Sequence, residues 1–144
     1  MTEQAQRQGW MGLLARAPAA RLAALAGEAP GFDWLRAPEV GSVMVRGRAG
    51  GTGAPFNLGE MTVTRCALRL KSGEIGHACV QGRDTSHATR AALVDALMQG
   101  PEAASWRARV LDPLAAEEAA RRQARAAKAA ATRVEFFTMA RGEA

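Results

Sequence analysis

The N-terminal third of the chain alternates between helical segments and a loop. Within residues 2–16 apolar side chains recur at helical spacing on one side, and basic side chains lie on the other. The apolar side comprises Trp10, Leu13 and Leu14, and the basic side comprises Arg7 and Arg16. Pro18 favours the first turn of a second helix, which Gly27 is suited to end. Two prolines and a glycine predict that residues 28–39 form a linking loop whose large apolar residues pack down.

From Val40 onward the hydrophobic pattern changes to a period of two, which is typical of strands. A first strand is predicted around Val43 and Val45, followed by a glycine-rich loop over residues 50–56. A second strand covers about Gly59–Leu70 and a third about Glu74–Gln81. The sequence therefore predicts a small antiparallel sheet built around a hairpin over residues 59–81.

The predicted register of this hairpin depends on its turn. If Ser72-Gly73 is the whole turn, Leu68 lies opposite His77 and Cys66 lies opposite Cys79. One face then carries Leu68, Leu70, Ile75, His77 and the two cysteines, and the other carries Met61, Val63, Arg65, Ala67, Arg69, Ala78 and Val80. Since both faces are partly apolar, we expect helices to cover one and a further surface to cover the other.

Helices are predicted for the remainder of the chain. Asp84 is suited to cap a helix that runs to about Gln99, and Gly100-Pro101 interrupts the chain. A further helix extends to Asp112-Pro113, where a capping residue and a first-turn proline predict a fresh start. The fold class is therefore α+β, with 1–144 as a single domain: helical 2–27, sheet region 40–81, helix 84–99, and C-terminal helices and tail 102–141.

Residues 114–131 form an alanine-rich helix with little to contribute to a core. Two pairs, Glu117–Arg121 and Glu118–Arg122, are spaced for ion pairs along this helix. After Leu114 only alanine is available for burial, so the helix is either solvated or packed on another chain. The tail 133–141 returns to bulky residues and is a candidate edge strand, and Phe136 and Phe137 are candidate interface residues.

Composition narrows the class of protein. The chain has 144 residues, which fits one domain, and no apolar stretch is long enough to span a membrane. The N-terminal residues lack the features of a secretory signal, so we expect a cytoplasmic protein. Two cysteines are too few for a disulfide scaffold.

The positive charge comes almost entirely from arginine. The formal net charge is +5, with 19 basic residues of which only Lys71 and Lys128 are lysine. Arginine forms two-point contacts with phosphate and carboxylate groups, so nucleic acid, an anionic substrate and an acidic partner are all compatible. Three tryptophans, four phenylalanines and no tyrosine, without interleaved basic residues, argue against a stacking platform for nucleic acid.

Two segments could bind an anion through backbone N–H groups. Gly50-Gly51-Thr52-Gly53 lies beside Arg48, but it lacks the ending of a P-loop and the dinucleotide fingerprint. Gly82-Arg83-Asp84 joins a strand to a helix N-terminus, where phosphate groups commonly bind. The alternatives are a glycine-rich turn between strands and an ordinary capped junction.

The cysteines and histidines do not form a recognised motif. His77, Cys79 and Cys66 could meet in the predicted register, but their spacing matches no zinc motif and apolar residues surround them. In such surroundings nothing lowers the pKa of a thiol, so a Cys–His nucleophile is also disfavoured. We therefore predict neither a metal ligand set nor a catalytic residue.

Several motifs occur in an order that resembles one protein family. They are Arg48-x-Gly-Gly-Thr-Gly-x-x-Phe56-x-x-Gly59-Glu60, Thr64-Arg65, Gly82-Arg83-Asp84, Asp95-Ala-Leu-Met, Thr132-Arg-Val-Glu-Phe-Phe-Thr138 and Arg141-Gly142. The combination is similar to the PhnG family, the G subunits of the bacterial carbon–phosphorus lyase core complex. The resemblance extends from the Arg7–Trp10 opening to Gly142. It makes these candidate anion-binding or interface residues: Arg48, Gly50, Gly51, Gly53, Glu60, Arg65, Gly82, Arg83 and Asp84.

The resemblance implies a role in the use of phosphonates as a phosphorus source. Such a protein acts with subunits H, I and L to transfer the ribose 5-triphosphate of MgATP to an alkylphosphonate and release adenine. It also belongs to a stable complex with H, I and the iron–sulfur subunit J. Within this family the nucleosidase chemistry is attributed to the I subunit. The resemblance therefore implies that this chain by itself binds no cofactor and that MgATP is a substrate of the complex.

Three functional hypotheses follow. The first is a non-catalytic subunit of a transferase complex. The second is a direct contribution to the active site, in which Arg48, Arg65 and Arg83 bind the triphosphate together with the glycine loop. The third and least favoured is a basic nucleic-acid-binding module, which predicts steeply salt-dependent binding. The sequence leaves open whether the isolated chain self-associates.

Overall fold

The computed structural model describes residues 2–142, with side chains described as far as Arg133. Its architecture is α+β, as predicted: helices pack on a three-stranded antiparallel sheet of order β1-β2-β3. The helices are α1 Glu3–Arg16, α2 Ala19–Ala26, α3 Thr85–Leu97, α4 Ala103–Trp106 and α5 Asp112–Gly142. The strands are β1 Phe32–Arg48, β2 Pro55–Leu70 and β3 Ile75–Gln81.

Helix α3 packs directly on the sheet and forms the centre of the core. Its residues 91–96 are all buried, and Leu68 and Val80 on the facing strands have no exposed surface. Gly76 makes this approach possible, because a Cβ at that position would overlap the Ala92 carbonyl oxygen and lie 3.0 Å from the Ala96 Cβ. The absence of a side chain at Gly76 thus sets the distance between helix and strand.

Helices α1 and α2 cover the opposite side of α3. Leu14 and Leu22 are completely buried in the same core. The ring Nε2 of His87, in the first turn of α3, is hydrogen-bonded to the Leu14 carbonyl oxygen at 2.9 Å. The N-terminal helix is therefore attached to α3 by both apolar packing and a buried hydrogen bond.

Strand β1 begins earlier than predicted. The segment 28–39, expected to be a loop, enters the sheet at Phe32, and its irregular positions are absorbed by register shifts between Trp34 and Arg36 and between Arg36 and Glu39. Pro38 is tolerated because β1 is an edge strand. Phe32 packs against the core as expected, whereas Trp34 and Leu35 remain 41% and 48% exposed.

The predicted register of the β2–β3 hairpin is wrong by one residue. Leu70 N–H donates to the Glu74 carbonyl at 2.9 Å, so the turn contains three residues, Lys71 to Gly73, and Gly73 adopts φ of 108°. Leu68 consequently lies opposite Gly76. A shift of one residue exchanges the faces of a strand. His77 and Cys79 therefore point away from the core, and Ala78 and Val80 point into it.

The predicted fresh start at Asp112-Pro113 is also wrong. A π-helical turn over Arg107–Leu111 connects α4 to α5 without interruption, and Asp112 has helical φ and ψ of −63° and −46°. Wider turns of this kind accommodate a residue that lacks an N–H, such as Pro113. Trp106, Val110, Leu111 and Leu114 from this region complete the core.

Beyond Leu114, α5 leaves the body of the fold, as predicted. Glu118 pairs with Arg122 at 3.3 Å, but Glu117 pairs with Arg21 of α2 at 2.8 Å instead of the predicted Arg121. Residues 119–133 are all exposed. The tail 133–141 continues the helix to Gly142 and is not an edge strand. The side chains of Phe136 and Phe137 lie outside the described part of the chain.

Strands β1 and β2 project past β3 as a two-stranded arm, residues 42–48 and 55–62. Strand β3 pairs with β2 only over Val63–Arg69, so the arm has no third strand. A turn over Ala49–Gly51 begins the loop at its tip, and residues 54–60 are all exposed. The arm is held by pairing between its two strands.

Candidate functional site

The most densely hydrogen-bonded side chain among the described residues is Asp95 of α3, which has no exposed surface. Its Oδ2 accepts from Arg7 Nη2 at 2.8 Å and from the His77 backbone N–H at 2.9 Å. Its Oδ1 accepts from Arg7 Nε at 3.1 Å and from the Trp10 indole at 2.8 Å. One carboxylate thus joins α1, α3 and β3.

The hydrogen bonds of Asp95 stabilise the fold. The hydrogen bond from Arg7 to Asp95 raises the pKa of the Arg7 guanidinium, so Arg7 stays charged. Four donors occupy both oxygens of Asp95, which leaves the carboxylate no free position from which to accept a proton from a substrate. The cluster positions α1 and covers the start of the β3 edge.

A cleft of about 860 Å³ opens beside this cluster, between α1 and the segment that follows α3. Its polar lining residues come from the start of α1 and from the segment after α3: Glu3, Gln4, Gln6, Arg7, Trp10, Gln99 and Arg107. Gln99 Nε2 already donates to the Ile75 carbonyl at 2.8 Å, and Arg7 is bound to Asp95. The cleft brings together none of the residues predicted from the sequence as anion ligands.

The glycine loop lies at the tip of the arm. Gly50 and Gly51 adopt left-handed φ values of 61° and 79°, which most residues avoid. Gly53 N–H donates to the Ala49 carbonyl at 3.0 Å, so this amide serves the turn itself. Arg48 is exposed at the end of β1, opposite Pro55. The loop is an exposed turn flanked by a free guanidinium.

The second candidate segment, Gly82-Arg83-Asp84, is a capped junction between β3 and α3. Asp84 is the N-cap, and its Oδ1 accepts from the His87 backbone N–H at 2.9 Å. The Gly82 N–H donates to the Thr62 carbonyl at 2.9 Å. The carboxylate therefore already occupies part of the helix N-terminus where an anion would bind, while Arg83 is exposed.

The structure does not bring the candidate arginines together. Arg48 lies opposite Pro55, and Arg65 lies ten residues further along β2, roughly 34 Å away at ~3.4 Å per residue. Gly82 pairs with Thr62, between these two positions and closer to Arg65. The predicted set of Arg48, Arg65 and Arg83 therefore cannot surround one triphosphate within this chain. Glu60 lies in the arm opposite Met44 and is exposed.

The cysteine and histidine positions follow from the corrected register. Cys66 is buried on the core face, where its thiol contacts the Ala88 carbonyl at 3.3 Å, and burial raises its pKa to about 11. His77 and Cys79 lie on the other face, so the predicted meeting of the three side chains does not occur. Among the side chains that the structure describes, residues 2–133, no group of three or more Cys, His, Asp or Glu is placed to hold a metal ion.

The large apolar side chains that are exposed in the described part of the chain all belong to β1 and the arm. They are Trp34, Leu35, Val40, Met44, Phe56 and Leu58, with exposed fractions from 41% to 61%. Phe32 and Trp34 form an edge-to-face pair with ring centroids 4.8 Å apart. The Leu58 side chain lies over Gly47, where a Cβ would come within 2.7 Å of Leu58 Cδ1. Met44 lies opposite Glu60 and Phe56 lies opposite Gly47, so exposed apolar groups occur on both faces of the arm, where they mark interaction surfaces.

Sequence reasoning missed the roles of Arg7 and Asp95. Arg7 had been placed on the polar side of α1, yet it lies three residues before Trp10 and shares a helix face with it. One signal could have indicated the Arg7–Asp95 pair. It is an arginine three residues before a tryptophan, together with an aspartate on the buried face of a later helix. Nothing local in the sequence identifies which carboxylate Arg7 meets.

No helix of the described chain is both long and apolar enough to cross a membrane.

The model of the phosphonate metabolism protein PhnG family matches residues 5–142. A protein of Rhizobium meliloti (strain 1021), named alpha-D-ribose 1-methylphosphonate 5-triphosphate synthase subunit PhnG, is 46% identical over 143 residues, covering 96% of this chain and 91% of the relative. The resemblance inferred from the ordered motifs is therefore confirmed, and the chain belongs to the PhnG family of phosphonate metabolism proteins.

Proposed function

We propose that this chain is a non-catalytic subunit of a cytoplasmic alpha-D-ribose 1-methylphosphonate 5-triphosphate synthase. The name of the Rhizobium meliloti relative supports the assignment to such a synthase. The partners are the phosphonate-pathway subunits H, I, J and L. The complex transfers the ribose 5-triphosphate of MgATP to an alkylphosphonate and releases adenine, with MgATP as its substrate rather than a cofactor of this chain.

The observation that carries the proposal is the apolar surface of the arm. Met44, Phe56 and Leu58 are 52%, 46% and 61% exposed on a two-stranded hairpin that has no third strand. A hairpin of this kind is marginally stable alone, and exposed apolar groups on it gain free energy when another protein covers them. Burial of such a surface is typical of an obligate subunit interface.

The exposed part of α5 supports the same role. Residues 119–133 contain five basic residues and no acidic residue, a charge that equals the formal net charge of the whole chain, +5. They are Arg121, Arg122, Arg125, Lys128 and Arg133. Alanine fills most of the other positions and permits close approach of a neighbouring helix. A basic helix that its own chain leaves exposed favours contact with an acidic surface of another subunit.

The reactive groups of the described chain support a non-catalytic role. Both oxygens of Asp95 are occupied by hydrogen-bond donors from the protein itself. The pKa of Cys66 is raised to about 11, so its thiolate is scarce at neutral pH. Asp84 is engaged as a helix cap. These side chains stabilise the fold and supply neither a general base nor a nucleophile.

Co-purification tests the proposal. The chain carrying Met44→Ser, Phe56→Ser and Leu58→Ser, expressed with the other subunits, should lose assembly while the isolated variant keeps its helical and strand content. A matched control, Met44→Leu with Phe56→Leu and Leu58→Met, keeps the apolar surface and should assemble. Stable binding of the serine variant would contradict the role of the arm. An isolated wild-type chain that turns over nucleotide would overturn the non-catalytic assignment.

The second candidate function is direct binding of the triphosphate. The glycine loop beside Arg48 supports it, because the loop is exposed. Arg48→Ala, Arg65→Ala and Arg83→Ala are compared in the reconstituted complex, each with the lysine variant as a control that retains charge. Loss of assembly indicates an interface, whereas intact assembly with lost turnover indicates a contribution to the active site, with the other subunits completing it. Steeply salt-dependent binding of DNA or RNA by the isolated chain would instead support the nucleic-acid hypothesis.

A further inference from the structure

Strand β1 is an edge of the sheet, and the hydrogen-bonding pattern shows which of its backbone groups face outward. Leu70 N–H donates to Glu74 and Gly82 N–H donates to the Thr62 carbonyl, so even-numbered residues of β2 direct their polar groups toward β3. Backbone groups alternate along an antiparallel strand, and odd-numbered residues of β2 therefore face β1. Gly41 and Val43 lie opposite Val63 and Met61, and they bond to β2.

The intervening residues of β1 face the free edge. Val40, Ser42 and Met44 lie opposite Thr64, Thr62 and Glu60, whose own polar groups point to the other side of β2. Each of the three consequently presents one N–H and one C=O outward, at a repeat of ~7 Å along the strand. The Val40 and Met44 side chains beside them are 45% and 52% exposed.

At the other edge of the sheet, β3, side chains bond to the outward backbone groups. On β3 the outward N–H of His77 donates to Asp95 Oδ2 at 2.9 Å, and the outward carbonyl of Ile75 accepts from Gln99 Nε2 at 2.8 Å. Among the described residues no side chain makes a comparable hydrogen bond to the backbone of β1. Proteins commonly block exposed edges, because such edges recruit further strands. The β3 edge is blocked at its start, whereas the β1 edge is left open.

We propose that an extended segment of a partner subunit adds to the sheet as a fourth strand, antiparallel or parallel to β1, at Val40–Met44. This inference rests on the proposed function, since it names how that partner binds. Main-chain hydrogen bonds from Val40, Ser42 and Met44 supply the recognition that is common to strand addition. Apolar side chains of the incoming strand cover Val40 and Met44.

The charges along β1 indicate the character of this segment. Arg46 and Arg48 are exposed at the distal end, and Arg36 at the proximal end lies 4.0 Å from Glu39. A partner segment with acidic residues flanking an apolar centre complements this pattern. A second copy of the chain does not, because antiparallel pairing centred on Ser42 brings Arg48 of each copy to the Arg36 region of the other.

Ser42→Pro is the direct test in the assembled complex. Proline at this position removes an outward N–H that β2 does not use, and edge strands tolerate proline there. We expect affinity for the partner subunits to fall at least about tenfold, since the ring also blocks approach of the added strand. Ser42→Ala keeps the N–H and should bind as the wild type does. Val43→Pro removes an inward N–H and should destabilise the hairpin even without a partner.

Amide hydrogen exchange tests the proposal independently of any variant. In the free chain the amides of Val40, Ser42 and Met44 should exchange faster than those of Gly41 and Val43. In the complex the first three should slow by at least about tenfold. Assembly without this slowing, and with Ser42→Pro binding normally, overturns the strand addition but leaves the subunit role intact. Failure of the wild-type chain to bind any subunit overturns the proposed function. Slowed exchange of the Val40, Ser42 and Met44 amides in a purified homodimer would instead show that a second copy of the chain occupies the edge.

Discussion

The hairpin of β1 and β2 has two halves that use the same strand pairing but differ in what covers them. At its base, β3 continues the sheet and α3 lies on it, and Cys66, Leu68 and Leu70 are at most 5% exposed. In the arm, residues 54–60 are all exposed, although the ladder of paired residues continues to Arg48 and Pro55. Strand pairing joins β1 to β2 in both halves, but only the base buries its side chains.

The difference shows which apolar residues fold the chain and which are available to a partner. Burial in the base removes side chains from water on folding and so contributes to the free energy of unfolding. The exposed arm residues keep most of their surface in water, so covering them contributes to association instead. Five measurements separate these two roles, from the largest expected effect to the smallest.

Removing the Asp95 carboxylate should have the largest effect on the base. Asp95→Ala leaves the Trp10 indole, the His77 N–H and the Arg7 guanidinium without their acceptor, and we expect a loss of about 3–5 kcal/mol in the free energy of unfolding. Urea denaturation measures it. The exposed pair Arg16–Glu118 supplies the control, since Glu118→Ala should cost no more than about 1 kcal/mol. Equal losses in the two variants would show that Asp95 does not organise the base.

Two glycines distinguish base from arm by the space around them. Gly76→Ala would drive a methyl group into the Ala92 carbonyl, and separation of α3 from β3 should cost about 3 kcal/mol of stability. Gly41, on the β1 edge just before the arm, has nothing within 4 Å of the corresponding position, so Gly41→Ala should be neutral or stabilising by less than about 1 kcal/mol. Thermal unfolding of both variants provides the measurement. A neutral Gly76→Ala would mean that the helix does not approach the strand as closely as described.

The register of the sheet could not be predicted because it depends on one residue of the turn. Alternation over β2 and β3 is compatible with two registers, and the choice of Ser72-Gly73 as the whole turn selected the wrong one. The three-residue turn ending at Gly73, with φ of 108°, moves His77 and Cys79 to the outer face. Partly apolar residues on both faces removed the usual signal that distinguishes the two registers.

Local signals predicted the helices well, and tertiary contacts decided the rest. Asp84 caps α3 as expected, and the exposed alanine helix follows directly from the lack of bulky residues after Leu114. By contrast, Phe32 enters a strand despite flanking prolines, because an edge position and register shifts accommodate them. The family was predictable from ordered motifs, whereas the Arg7–Asp95 pair spans 88 positions of sequence and leaves no local pattern.

The two thiols report separately on the inner and outer faces of the base. Cys66 is buried with a pKa of about 11, whereas Cys79 is exposed. At pH 8, iodoacetamide should label Cys79 and leave Cys66 unmodified until the chain unfolds. Mass spectrometry of the labelled peptides measures this, and equal labelling of the native protein would place both cysteines on one face, as the alternative register requires.

The raised pKa of Cys66 also predicts a pH dependence of stability. Below the ordinary value of 9.0 both folded and unfolded states carry the thiol, so this group causes no change. Between pH 9 and 11 only the unfolded state ionises, and stability should fall by up to about 2.7 kcal/mol as the pH rises. Cys66→Ala should remove this part of the decline, and Cys79→Ala should not. An unchanged slope in Cys66→Ala would show that other groups cause the loss.

The smallest effect is expected for polar substitution in the arm. Met44 is 52% exposed, so Met44→Ser should change the free energy of unfolding by no more than about 0.5 kcal/mol. Leu68→Ala in the base removes a completely buried side chain and should cost about 2–5 kcal/mol. Because the two residues lie on the same hairpin, any large loss in Met44→Ser would mean that the arm contributes to folding of the isolated chain. A near-zero change combined with loss of partner binding would instead assign the surface around Met44 to association.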